Sequence, residues 1–144
     1  MPTYLPFNVT AALLALNAST HGTPATVVVN RPAGSTLTLP ASYGSGAEFD
    51  IVVGATITSN NLIVQVANAL DTMTGVCLTA QDAGDTVAGY ETAADTDTIT
   101  MNGSTKGGIK GDRIRLKDIA ANVWQVQVIS SGTGTEVTPF SAAV

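Results

Sequence analysis

The chain has one cysteine, Cys77, and one histidine, His21, in 144 residues. A single cysteine excludes an intramolecular disulfide framework and a cysteine-rich zinc site. A single histidine excludes the two-histidine metal motifs and leaves little room for acid–base chemistry. Charge is scarce, at 12% of residues, and acids outnumber bases 11 to 6. A net charge of -5 and a pI near 4.4 speak against a protein that coats nucleic acid. No run approaches the roughly 18 unbroken apolar residues of a membrane span. Val9 to Ala18 is mildly apolar, but no Lys or Arg precedes it and Pro6 interrupts its approach. It reads as mature protein rather than a signal peptide.

What is present is β vocabulary. The chain is 44% hydrophobic, rich in valine and threonine, with 14 glycines for turns. That hydrophobicity at low charge excludes disorder for the bulk of the chain. The length suits one domain that needs no disulfide staple. Strand-like runs recur along it. Ala25 to Asn30 holds three consecutive valines, and Leu37 and Leu39 alternate with Thr36 and Thr38. Period-two alternation returns at Phe49–Val53, Leu62–Val66, Val76–Thr79, Thr98–Met101, Arg113–Lys117 and Trp124–Val128. Such repetition indicates half-buried strands. Turn clusters separate them: Arg31 to Gly34, Pro40 to Gly46, Ser59 to Asn61, and Asn102-Gly103, a type I′ hairpin signal. The expectation is an all-β fold: a single antiparallel β-sandwich, jelly-roll-like or β-tulip-like, with extended terminal segments. Residues 1–23 fit the pattern worst and read as an N-terminal arm or a short helical turn from Thr10 to Leu16. Residues 24–144 read as one β domain whose tail, from Ser130 on, lies extended over a neighbour.

Charge is placed unevenly. Arg31 is the only basic residue before Lys106, and the other five fall between Lys106 and Lys117. On a strand, Arg113, Arg115 and Lys117 share one face. That face is either solvated, or meets the acidic stretch from Asp82 to Asp97 of its own chain or of a neighbouring subunit, or is a docking stripe for an acidic partner. The stretch from Gly103 to Lys110 imitates a phosphate loop but has Ile109 where lysine is required. It reads as a hairpin connection. The acids from Asp82 to Asp97 lack the spacing of a calcium loop and read as solvated. His21 has no marked nucleophile partner and reads as a surface histidine. Cys77 reads as a small packed residue and Trp124 as core. No catalytic residue, metal ligand or cofactor site emerges, and the expectation is a protein that is not an enzyme.

Several segments, taken in order, resemble a known group. They are Ala33 to Pro40 with Gly44-Ser45-Gly46, Val52-Val53-Gly54 with Ser59-Asn60, and Val64 to Ala69. Thr98 to Ser104, Gly107 to Asp112 with Trp124-Gln125-Val126, and Ser131 to Gly134 complete the set. Over about residues 24 to 142 the chain resembles small virion structural proteins of tailed bacteriophages, of the capsid cement or decoration type. The resemblance implies a β-rich domain on the outer surface of the mature head. Its partners would be the major capsid protein and further copies of itself, usually as trimers, with no nucleic acid or membrane involved. It carries no catalytic residues. Extended termini can add main-chain hydrogen bonds to a neighbour. The expected capsid contacts are therefore Tyr4, Leu5, Pro6 and Phe7, unless these complete the domain's own core, together with Arg113, Arg115 and Lys117. The competing expectations are a tail, neck or head-fibre protein that binds a receptor or glycan through Tyr43, Tyr90 or Trp124, and a β-rich enzyme or adhesin.

Overall fold

The computed structural model describes residues 5–144, so Tyr4 lies outside the described residues. Two sheets enclose one apolar core. In chain order the elements begin with β1 (Phe7–Val9), β2 (Leu13–Ala15), α1 (Ala18–His21), β3 (Val27–Val29) and β4 (Ser35–Thr38). Then come β5 (Glu48–Val53), β6 (Leu62–Gln65), β7 (Thr72–Gln81) and β8 (Val87–Glu91). The last are β9 (Thr98–Met101), β10 (Arg113–Ala120), β11 (Val123–Gly132) and β12 (Phe140–Ser141). The larger sheet has seven strands in the order β1-β3-β5-β10-β11-β7-β8, and the smaller has five in the order β12-β9-β6-β4-β2.

The all-β sandwich is as the alternation predicts, but its sheets are mixed rather than antiparallel. From β1 to β6 the chain changes sheet at every link. A strand that returns to its own sheet after visiting the other runs in its original direction. Hence β1-β3-β5 and β2-β4-β6 pair in parallel. The remaining parallel pair, β7 with β11, is a ten-residue register from Val123 opposite Thr72 to Gly132 opposite Gln81. Period two is the same in parallel and antiparallel strands, so the pattern could not distinguish them.

The inward face of each strand is the apolar one. Val27, Val29, Phe49, Ile51, Val53, Ile114, Leu116, Trp124, Val126 and Val128 come from the large sheet. Leu37, Leu39, Leu62, Val64, Val66, Ile99 and Met101 meet them from the small sheet and its extensions. Trp124 is fully buried and its ring lies 5.9 Å from that of Phe49. Cys77 is buried as expected, with its sulfur 3.4 Å from Thr79 Oγ1. Burial pushes its thiol pKa up. Gly75 has φ 152, and a Cβ there would stand 1.8 Å from the Val126 carbonyl oxygen. Only glycine lets β7 approach β11 this closely.

Four further expectations change. The N-terminal segment is not a free arm: β1 and β2 each add an edge strand to one sheet. The helical turn lies at Ala18–His21, not between Thr10 and Leu16. Asn17 caps it, its side chain accepting the Thr20 N–H. His21 is buried rather than on the surface. Its Nδ1 accepts the Asn17 N–H at 3.0 Å, and its ring packs edge-on against Phe7, 4.4 Å between centroids. Asn102-Gly103 is not a two-residue hairpin, because β9 and β10 lie in different sheets. The segment crosses between them. Asn102 Oδ1 accepts the Ser104 and Lys106 N–H groups, and Gly103 takes φ 84.

The tail also folds back on its own domain. Phe140 pairs with Ile99, and Asp97 accepts the Ala143 and Val144 N–H groups at 2.8 and 3.2 Å.

Candidate functional site

The cationic strand face exists as expected. Along β10, Arg113, Arg115 and Lys117 point outward while Ile114 and Leu116 point into the core. The acids that meet them come from β5, not from the 82–97 stretch. Arg113 forks onto Asp50, with Nε donating to Oδ1 at 2.6 Å and the terminal nitrogen donating to Oδ2. Lys117 pairs with Glu48 at 3.0 Å and lowers the Glu48 pKa. The fork onto Asp50 raises the Arg113 pKa. Two of the three cations are thus neutralised within the sheet. The face as a whole is a mixed-charge surface, not a positive stripe. Beside it lies a shallow depression of about 200 Å³, lined by Thr23, Glu48, Asp50, Arg115, Gln125 and Gln127 among others.

The N-terminal contact set divides. Leu5 and Pro6 are exposed, with Leu5 at 76%. Phe7 packs against the core and His21, so it completes the domain rather than reaching for a partner.

Buried aspartates hold the loops at the sandwich ends. At one end, Asp118 accepts the N–H groups of Tyr43, Gly44 and Ser45 and the hydroxyls of Ser42 and Ser45, at 2.7–3.2 Å. Burial pushes its pKa up, but the bonds from Ser45, Gly44 and Ser42 outweigh burial and hold the carboxyl far below its ordinary range. Asp71 joins the same end, accepting from the Ser42 N–H and the Asn122 side chain. This network fixes the backbone of a loop that presents Tyr43, 74% exposed, near the loop that presents Leu70, 75% exposed. At the other end, Asp112 accepts the Gly108, Ile109 and Ser131 N–H groups. There burial wins, and the Asp112 pKa is raised.

Of the aromatics considered for ligand stacking, Trp124 is in the core and Tyr90 packs against it. Only Tyr43 is presented to solvent. Among the described residues no group of three or more His, Cys, Asp or Glu side chains converges as a metal site requires. Asp82, Asp85, Glu91 and Asp95 are exposed, whereas Asp97 is buried as the clamp on the tail. The residues that sequence reasoning missed are the aspartate clamps and the outward apolar side chains of β7, β8 and β11. Alternation showed two faces at β7, but the inward one carries Cys77 and Thr79 and the outward one Val76 and Leu78. Comparison of the chain with protein-family models, curated proteins and solved structures found no match.

Proposed function

We propose that this protein is a capsid cement or decoration protein of a tailed bacteriophage. It would bind the outer surface of the mature head as an oligomer and brace neighbouring major capsid protein subunits. The ordered set of segments from Ala33 to Gly134 carries the family reading. One structural observation supports it: large apolar side chains stand exposed on a frame of rigid, aspartate-clamped loops. Tyr43 and Leu70 at one end are the examples, and Leu5 is exposed beside β1, apart from those clamps. Apolar residues held rigid lose little entropy when a partner covers them. Symmetric copies then turn modest contacts into avidity. The contact set is accordingly Leu5 and Pro6, with Tyr43 and Leu70.

The deciding experiment is the copy number in purified virions relative to the major capsid protein. Hundreds of copies, and heads that break at lower temperature without the protein, are the expected result. A handful of copies favours a tail, neck or head-fibre role, for which the clamped, solvent-facing Tyr43 is the natural stacking platform for a glycan. Absence from the particle overturns both.

A further inference from the structure

The outer surface of the large sheet is apolar where it should be wet. Val76, Leu78, Val87 and Ile129 are 45%, 44%, 61% and 58% exposed. The strand registers place Val76, Leu78 and Ile129 together, with Val87 one row further along, opposite Ala80. One row across the sheet reads Arg115, Gln127, Val76, Glu91, and the next reads Arg113, Ile129, Leu78, Gly89. A contiguous apolar patch on a sheet face, rimmed by charge, marks a surface that another molecule covers.

The charges identify the occupant. At one rim, Glu48 and Asp50 make ion pairs with Lys117 and Arg113, and Arg115, opposite Asp50 in the register, is the cation of β10 left without an ion pair among the described residues. At the other rim, on β8, stands Glu91, exposed and without an ion pair among the described residues. The two lie in the same row, on opposite sides of the apolar centre. Such a face is complementary to itself. A two-fold axis lying along the strands, between β11 and β7, lays β10 of one copy over β8 of the other. Arg115 then meets the Glu91 of the partner copy, twice, and Ile129 meets the partner copy's Leu78. Aligned sheets pack about 10 Å apart, a spacing that these side chains fill.

We infer that the outer face of the seven-stranded sheet is a self-association surface on which a second copy of this chain docks about a two-fold axis. The inference rests on this face and stands apart from the cement reading. Dimer with no presence in virions would defeat only that reading, and monomer in abundance on heads would defeat only this one.

Sedimentation velocity on the full chain over about 1–500 µM tests it, a range that spans weak and firm pairing. The wild type is expected to dimerise. Ile129→Asp, at an exposed position that leaves the fold intact, is expected to give monomer with an unchanged far-UV spectrum. Glu91→Arg or Arg115→Glu alone is expected to weaken pairing about tenfold or more, because each reversal creates two repulsive contacts. The double variant Glu91→Arg/Arg115→Glu is expected to recover to within about threefold, since the pair is swapped rather than lost. A wild type that stays monomeric throughout overturns the inference. So does an oligomer of any order that ignores Ile129→Asp and both reversals. A monomer whose binding to heads is lost in Ile129→Asp also overturns it, by giving the face to the capsid.

Discussion

Residues 7–65 and residues 72–132 build the same sandwich by different means. The first region is wound. Its six strands, of three to six residues, alternate between sheets, and each pairs with the strand two places along. The second region contributes β7 and β11, ten residues each, and β10, eight residues, side by side in one sheet. A short strand cannot hold itself by its ladder, so the wound region depends on burial of Val27, Leu37, Ile51 and Val64 against the opposite sheet. The long strands have ladder to spare, and they can present an outer surface used for something other than folding. That surface carries the exposed apolar patch on β7, β8 and β11.

The largest test of this contrast lies where the long strands meet. Trp124→Ala is expected to cost about 3–5 kcal/mol, as an emptied aromatic core site does. Gly75→Ala is expected to cost a comparable amount, because its Cβ would strike the Val126 carbonyl and the backbone must separate. Chemical denaturation measures both. If either leaves the stability intact, the long ladder is not the foundation described here. Next is Asp118→Asn, which removes the charge from five hydrogen bonds and turns an amide N–H toward donors. About 2–4 kcal/mol is expected. Its spectroscopic companion is faster amide exchange at Gly44 and Ser45.

The pH dependence sharpens the other side of the comparison. Burial holds the His21 imidazole below its ordinary pKa. The unfolded chain therefore takes up this proton first. Stability is complete above about pH 6.5 and falls as pH drops below it, until His21 itself protonates. Asp118, held low, keeps its contribution until the pH falls below about 4, the ordinary aspartate range. Thermal unfolding between pH 8 and pH 5 is expected to show a loss that His21→Gln flattens. The effect should be smaller than that of Asp118→Asn and should appear first in amide exchange of β1, which His21 backs through Phe7. The smallest expected effect is that of Lys117→Ala. Lys117 and Glu48 are both half-exposed, and an exposed pair adds little. No measurable change in Tm is expected.

Much of the architecture was legible beforehand. Phe49, Ile51 and Val53, or Trp124, Val126 and Val128, announce inward faces by spacing alone, and both triplets are buried. The edge strands were not legible. Three residues of β1 or two of β12 are too few to show a period, and pairing makes them strands. His21 was misassigned, and Phe7 was left between anchor and core, because a polar or terminal position says nothing about what folds over it. The cationic stripe was legible as a row on one face, yet its neutralisation was not, because Asp50 and Glu48 are about 65 residues away along the chain.

By itself, the sequence determined the class of the molecule. Alternating apolar residues can be buried only as two-faced strands, and one cysteine, one histidine and few charges limit the chemistry available. Only the tertiary structure decided strand direction, the clamping of loops by Asp71, Asp112 and Asp118, and which face of β7 looks outward. Each of these depends on groups distant in sequence meeting in space. Period two is blind to direction, and a face becomes inside or outside only when a second sheet covers it.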